Sequence, residues 1–411
     1  MAQLNITLNQ QEILQMLGDD TGNAFKELLR ESLNAVLGAE SSEQLGAGRY
    51  ERTESRTDSR NGTRERPLTT RIGTIVLDVP RHRNAPFKTM VFENYKRSEA
   101  ALVTTMAEMV VGGVSTAKVG KVMETLCGRS FSKSTVSEAC KELDAAVEEF
   151  VSRPLDARYL FALVDATYVK ARVDHKVVSK ALMVAIGLTH DGRKEVLGFG
   201  IYDSETVASW RDFLEGLKSR GLKGLKVITS DADEGAISAI GDVFPEAAWQ
   251  RCQAHFSKNI VEAAPKKLQA GLRSELAEMF NCLDMAAARA RRDEIIADYA
   301  ELAPKAVEKL DSGFEDAMTV MELPRDMRRA VRTTNYIERL NREIKRRTKV
   351  IGVFPNPDSI MRLAGAYIIE ENDRWAAQVK MYYKPSIDEL ERKEEKLVEI
   401  ARAQRAMRLA A

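Results

Sequence analysis

Asp165 closes the apolar run Phe161-Ala162-Leu163-Val164, and Asp231 closes a second, Val227-Ile228-Thr229-Ser230. A carboxylate at the end of a buried strand is unfavourable unless it is paired or bound to a cation. In α/β sheets, the carboxyl ends of strands are also where sites are built. Two such ends side by side would bring two acidic oxygens to one metal. Asp233 is the competing acid, placed to cap a helix starting at Glu234. A third acid, Glu338, lies in Asn335-Tyr336-Ile337-Glu338, which reads as a capping box with Asn335 as cap. Glu338 shares a helical face with Asn341, Arg342 and Lys345. Cations crowd the surrounding stretch: Arg325, Arg328, Arg329, Arg332, Arg339, Arg342, Lys345, Arg346, Arg347 and Lys349. A helix so basic suits a place where metal and phosphate meet. Three carboxylates can hold two Mg²⁺ ions about 3.5–4 Å apart and drive in-line displacement at phosphorus. One ion activates water or a 3′-hydroxyl, and the other stabilises the leaving oxygen. Hard oxygen ligands select Mg²⁺, with Mn²⁺ as substitute.

Cys252 and His255 form a C-x-x-H just after the next apolar stretch. A structural zinc site needs four ligands, and no second Cys/His pair is near in sequence. His255 reads instead as a packed or phosphate-near side chain. The four cysteines are scattered, which fits free thiols in a reducing compartment. No secretory signal or membrane span is expected, so the localisation expected is cytoplasmic. The 411 residues allow roughly two to four domains. A net charge of +1 with 30% charged residues neither requires nor excludes nucleic acid; distribution decides.

The elements that must position these groups follow from pattern. Thr21 caps a first helix with Phe25, Leu28, Leu29, Val36 and Leu37 at helical spacing. Residues 41–70 are polar and carry Arg49, Arg52, Arg56, Arg60, Arg64 and Arg66. They read as a linker or as a basic arm that orders on DNA phosphates. A short strand, 74–79, ends at Pro80 and leads to the basic loop RHRNAPFK. Helices over 102–111, from Ser115 to Gly128, and over 133–148 resemble a helix-turn-helix. Three strands then make an antiparallel meander. Helix and strand alternate after it, giving an α/β sheet of about five strands. Leu268, Leu272, Leu276, Met279, Phe280 and Leu283 mark a helical block, continued around Ile295 to Leu302. The final helix, from Ser386, has no evident task.

SRNGTRERPLTTRIGTIVLDVPRHRN, VSTAKVGKVMETLCG, LVDATYVK, ITSDADEGAISAI, WQRCQAHFSKNI and TTNYIERLNREIKRRTKVIGVFPN together resemble the Mutator-type transposases of bacterial insertion sequences. The resemblance runs from about residue 58 to about 375; the ends add little. It implies an α/β ribonuclease H-like catalytic domain interrupted by an all-α insertion, with an N-terminal helical, helix-turn-helix-like DNA-binding region. It implies a DDE triad of Asp165, Asp231 (not Asp233) and Glu338, and its C-x-x-H matches Cys252 and His255.

The expected organisation is a helical element (1–40), a basic arm and strand (41–97), and a helix-turn-helix-like region (98–150). The catalytic domain (151–255 and 326–375) follows, split by the insertion (256–325) and trailed by a C-terminal helix (376–411). Cys252, His255, Asn335, Arg339 and Arg342 are expected near the site. DNA contacts are expected from Arg60, Arg64, Arg66, Arg81, Arg83, Lys133, Ser134, Arg346 and Arg347. The expected activity is metal-dependent strand cleavage and strand transfer at terminal inverted repeats, by a nucleoid-associated homodimer on double-stranded DNA. A non-enzymatic helix-turn-helix regulator and a ribonuclease H-like nuclease are the competing readings.

Overall fold

The structure, a computed structural model, describes residues 21–51, 53, 55–70, 73–89, 91, 100–127, 131–378 and 380–410. Arg52 and Gly128 lie outside them. The chain divides into two compact units, residues 1–142 and 143–411.

In the first unit, helix α1 (Thr21–Leu45) precedes strands β1 (Arg60–Thr70) and β2 (Gly73–His82). The reading of residues 41–70 as a linker or arm without secondary structure of its own is corrected here. Residues 60–70 pair antiparallel with β2, from Thr63↔Pro80 to Thr70↔Gly73. β1 needs few apolar side chains, because its partner supplies them. Ile75, Leu77 and Val79 alternate onto one face of β2 and pack with Leu37 of α1. β2 also runs past Pro80 to His82. A missing N–H is tolerated on an edge strand, and both strands of a two-stranded ribbon are edges.

Helices α2 (Ala100–Val111), α3 (Thr116–Cys127) and α4 (Lys133–Ala139) follow. Ser115 accepts the Lys118 N–H at 3.3 Å, and Ser132 accepts the Thr135 N–H at 3.1 Å, so each caps the helix that follows it. α3 approaches the chain leading into α4 so closely at Gly120 that a Cβ there would lie 2.5 Å from the Phe131 carbonyl oxygen. The single helix expected over 133–148 is broken. A 3₁₀ turn at Cys140–Glu142 separates α4 from α5 (Leu143–Ser152). The turn divides the apolar residues between two cores: Val136 and Ala139 are buried before it, Val147 and Phe150 after it.

The second unit is built on a five-stranded sheet. β3 (Tyr159–Val173), β4 (Lys176–Thr189) and β5 (Lys194–Tyr202) form the expected antiparallel meander. β6 (Val227–Ser230) and β7 (Ala248–Arg251) lie parallel to β3, giving the order β5-β4-β3-β6-β7. Helices α6 (Val207–Ser219) and α7 (Glu234–Val243) supply one apolar cover. Trp210, Phe213, Leu214 and Leu217 of α6 are buried with Ile228 and Trp249. Val320, Leu323, Met327 and Val331 gather instead with Phe161, Leu188 and Val227.

A helical block follows β7: α8 (Gln253–Ala263), α9 (Gln269–Phe280), α10 (Met285–Tyr299) and α11 (Pro304–Ala317). Phe256, Ile260, Leu272, Leu276, Met279, Ile295 and Phe314 form its core. Leu283 and Leu302 do not join it and are 63% and 57% exposed. Their helices stop first, at Phe280 and Tyr299. Helices α12 (Arg325–Val331), α13 (Asn335–Thr348), α14 (Pro357–Ala377), α15 (Ile387–Arg392) and α16 (Glu394–Ala410) complete the chain. The basic segment from Arg332 thus begins as a turn, and the C-terminal helix is two.

α16 has a clear task. The Gln404 carboxamide oxygen accepts the Trp249 N–H at 2.9 Å, and its NH₂ donates to the Trp249 carbonyl at 2.9 Å. One side chain therefore pairs with the edge of β7 much as a further strand would. No helix among the described residues is long and apolar enough to cross a membrane.

Candidate active site

Asp165 is the seventh of the fifteen residues of β3 and does not end the strand. The chemistry of the position is nonetheless that of an end. β6 stops at Ser230, and its last pairing with β3 is Leu163↔Thr229. Two residues further along each chain stand Asp165 and Asp231. Beyond that level β3 continues as a hairpin with β4, so both acids lie where the parallel pairing has just ended. Asp233 is spent elsewhere: its carboxylate accepts the Ala236 N–H at 2.9 Å and caps α7. Asp231 itself accepts the Asp233 N–H at 3.2 Å.

α13 brings the third acid. The capping box expected around Glu338 is absent. Thr334 holds the cap position with no side-chain cap bond, and Asn335 is exposed as the first helical residue. The Thr334 hydroxyl is engaged instead with Cys252 Sγ at 3.3 Å, and the Thr334 N–H donates to the same sulfur at 3.4 Å. Glu338 is thus free to face inward, where its Oε1 lies 3.5 Å from His255 Nε2. Asn341, one turn further on the same face, donates from Nδ2 to Asp165 Oδ2 at 3.0 Å.

Backbone bonds fix these segments to each other. The Cys252 N–H donates to the Ser230 carbonyl at 2.8 Å, and the Gln253 N–H donates to the Arg332 carbonyl at 3.0 Å. The Thr229 hydroxyl donates to the Val331 carbonyl at 2.6 Å. The end of β6, the start of α8 and the turn into α13 are therefore one stitched unit, carrying Asp231, His255 and Glu338.

The electrostatics are those of crowded acids. Burial, and then the charge of Asp231, push Asp165 up to about 7, with Glu338 adding to the rise. His255 and the Ala166 N–H pull the other way. Burial raises Asp231 as well. The Cys252 sulfur, with Asp165 and Glu338, holds His255 up at about 9 against its own burial. Burial works to raise the Cys252 thiol, but His255 and Thr334 outweigh it and draw the thiol down. Glu205 is a further acid of this neighbourhood, raised by burial and then by Asp231 and Asp233.

Two buried oxygens, Thr167 Oγ1 two residues beyond Asp165 and Oδ1 of the Asn341 carboxamide whose Nδ2 donates to Asp165, have no hydrogen-bond partner among the described residues. Buried polar atoms are ordinarily paired, and unpaired ones mark a place for water, ion or substrate. Converging carboxylates, unpaired oxygens and the suppressed ionisation of Asp165 and Asp231 fit a divalent cation, whose charge would favour their ionised forms.

The cations divide. Arg339 and Arg342 are exposed on α13. Arg346 pairs with Glu343 at 2.9 Å, and Arg347 stacks 4.1 Å from the Tyr367 ring centre beside Glu370. Arg328 and Arg332 brace the helical block, through the Leu283 carbonyl and Asn281 Oδ1, both at 2.9 Å. In the first unit, Arg60 is bound to Ser42 Oγ and the Ala47 and Gly48 carbonyls. Arg66 is half-buried, while Arg64, Arg81, Arg83, Lys133 and Ser134 are exposed.

That Asn341 shares the face of Glu338 was within reach of the sequence, since it lies three residues further on the same helix; its bond to Asp165, across 176 residues, was not. Thr334 and Glu205 were not, because their contacts join segments far apart in the chain.

The chain matches the family described as "Transposase, Mutator family" over residues 1–378, so the likeness reaches well before residue 58. It is 41% identical to the transposase for insertion sequence element IS256 in transposon Tn4001 of Staphylococcus aureus, over 93% of this chain and 99% of that one. The transposase for ISRM5 of Rhizobium meliloti is 39% identical over 86% of this chain and 89% of its own length. That for IS1081 of Mycobacterium tuberculosis is 38% identical over 88% of each.

Proposed function

The chain belongs to the Mutator family of transposases, and from that premise we propose that Asp165, Asp231 and Glu338 are the catalytic carboxylates of its DNA transposition chemistry. They would hold Mg²⁺, with Mn²⁺ as substitute, in a ribonuclease H-like domain (151–255 and 326–375) interrupted by the helical block at 256–325. The observation that carries this reading is the convergence of two acids at the level where β6 ends with a third from α13. The sheet order, with an antiparallel meander and two parallel strands beside it, supports the fold assignment.

Bound there, Mg²⁺ would supply charge neutralisation and an activated water or 3′-hydroxyl. The chain's own residues do the rest. Asn341 fixes the rotamer of Asp165. His255 holds the carboxylate of Glu338 on the site side of α13. Arg339 and Arg342 are placed to meet phosphates on the open face. The helix-turn-helix-like region (98–150), with the arm and ribbon (41–97) and the helical element (1–40), binds the terminal inverted repeats. A homodimer on double-stranded DNA, nucleoid-associated in a bacterial cytoplasm, fits an enzyme that must act on two ends.

The test is Asp165→Asn assayed on a duplex carrying the element's terminal repeat. The variant is expected to bind the end as wild type does and to lose cleavage. Wild type is expected to yield joined strands as well as cut ones. Full cleavage by the variant would overturn the reading, and hydrolysis without any joined product in wild type would make the enzyme a nuclease.

A further inference from the structure

Cys252 opens α8 and His255 stands one turn on, so both side chains leave the same end of the helix. Glu338 enters from α13, and one ligand atom from each of the three lies within 4.8 Å of the other two. Zinc bonds of about 2.3 Å to sulfur and about 2.0–2.2 Å to nitrogen and oxygen set tetrahedral ligand separations of roughly 3.3–3.8 Å. The trio is thus close to closing on one ion. The sulfur accepts both Thr334 donors, an arrangement that favours a thiolate and fixes its position. His255 Nδ1 is buried with no hydrogen-bond partner among the described residues. The His255 and Glu338 side chains are 30% and 32% exposed, which leaves a way in and room for water as a fourth ligand.

Sulfur and imidazole are poor donors for Mg²⁺ and good ones for Zn²⁺, Co²⁺ or Cd²⁺. We propose that Cys252, His255 and Glu338 form a second cation site, selective for thiophilic divalent metals. An ion there engages Glu338 and withdraws it from Asp165 and Asp231, so a soft cation silences the hard-cation chemistry. The binding claim stands on this geometry alone; the silencing claim rests on the catalytic triad proposed above.

The experiment titrates the full-length protein with Co²⁺ and reads the thiolate-to-cobalt charge-transfer absorption. The expected result is a band that saturates at one ion per chain, is removed by Zn²⁺, and survives Cys140→Ser and Cys282→Ser. Cys252→Ser and His255→Gln should each abolish it, and using both covers a failure of either to fold. Strand cleavage in Mg²⁺ is then titrated with Zn²⁺, where the inhibition midpoint should rise about tenfold or more in Cys252→Ser relative to that variant's own uninhibited rate. No band in wild type, or a band retained in both variants, would overturn the site. A band with equal Zn²⁺ sensitivity in wild type and Cys252→Ser would overturn the silencing, and neither result bears on the triad itself.

Discussion

At the scale of single residues, the site depends on which partner each polar group takes. Among the described residues, the Asn341 side chain makes one hydrogen bond, the donation to Asp165, and its Oδ1 has no partner. Asn341→Ala is therefore expected to leave the thermal midpoint nearly unchanged. Cleavage should fall about 10–100-fold, as for other groups that orient a metal ligand, with a raised Mg²⁺ requirement. An unaltered Mg²⁺ titration would remove Asn341 from the site. The acids themselves were legible because charge at the end of an apolar run is unusual enough to notice. Glu338 was legible as an acid but not in its role, since the same four residues spell a capping box. Only the engagement of Thr334 with Cys252, across the fold, shows that the box does not form.

At the scale of elements, periodicity carried the sheet and the helical block, because both bury apolar faces at fixed spacing. It failed where an element borrows from a neighbour. β1 is polar and ordered by β2, and the long helix over 133–148 breaks because its two halves belong to different cores. The open end of the β1–β2 ribbon is held by Asp58, which accepts the Ser59, Asn84 and Ala85 N–H groups. Those bonds, from Ala85 first and then Ser59 and Asn84, lower its carboxyl from 3.8 to about 2. A lowered folded value means stability that is present above the unfolded value and lost as pH falls through the folded one. The difference in melting temperature between wild type and Asp58→Asn should be constant above about pH 4 and close toward about pH 2. A gap that persisted at pH 2 would mean the carboxylate does not hold this turn. At the β7 edge of the five-stranded sheet, Gln404→Ala leaves the Trp249 N–H without its acceptor, while the Trp249 carbonyl keeps the Thr319 hydroxyl at 3.0 Å. One buried N–H left unpaired should cost about 1–3 kcal/mol, read as a lower denaturant midpoint. No change would mean that water replaces the side chain.

At the scale of the whole molecule, the chain pairs a unit of ribbon and short helices with a unit whose sheet, helical block and α13 converge on one acidic site. Composition could not have revealed this, since the charges nearly cancel overall while the cations collect around Glu338. The family likeness spans both units, and the function proposed above divides the labour between them, with end recognition given to the first unit and cutting and joining to the second. The central claim concerns which carboxylates perform that chemistry, and Asp231 and Asp233 separate it most cleanly from alternatives. They are two residues apart, identical in type, and assigned opposite tasks by the geometry, one facing Asp165 and one capping α7. The decisive measurement is strand cleavage and joining on terminal-repeat DNA by Asp231→Asn and Asp233→Asn side by side. The account predicts that Asp231→Asn binds DNA but falls to background. It predicts that Asp233→Asn keeps substantial activity and loses at most about 1 kcal/mol of stability from the weakened cap. Activity surviving in Asp231→Asn and vanishing in a folded Asp233→Asn would contradict it.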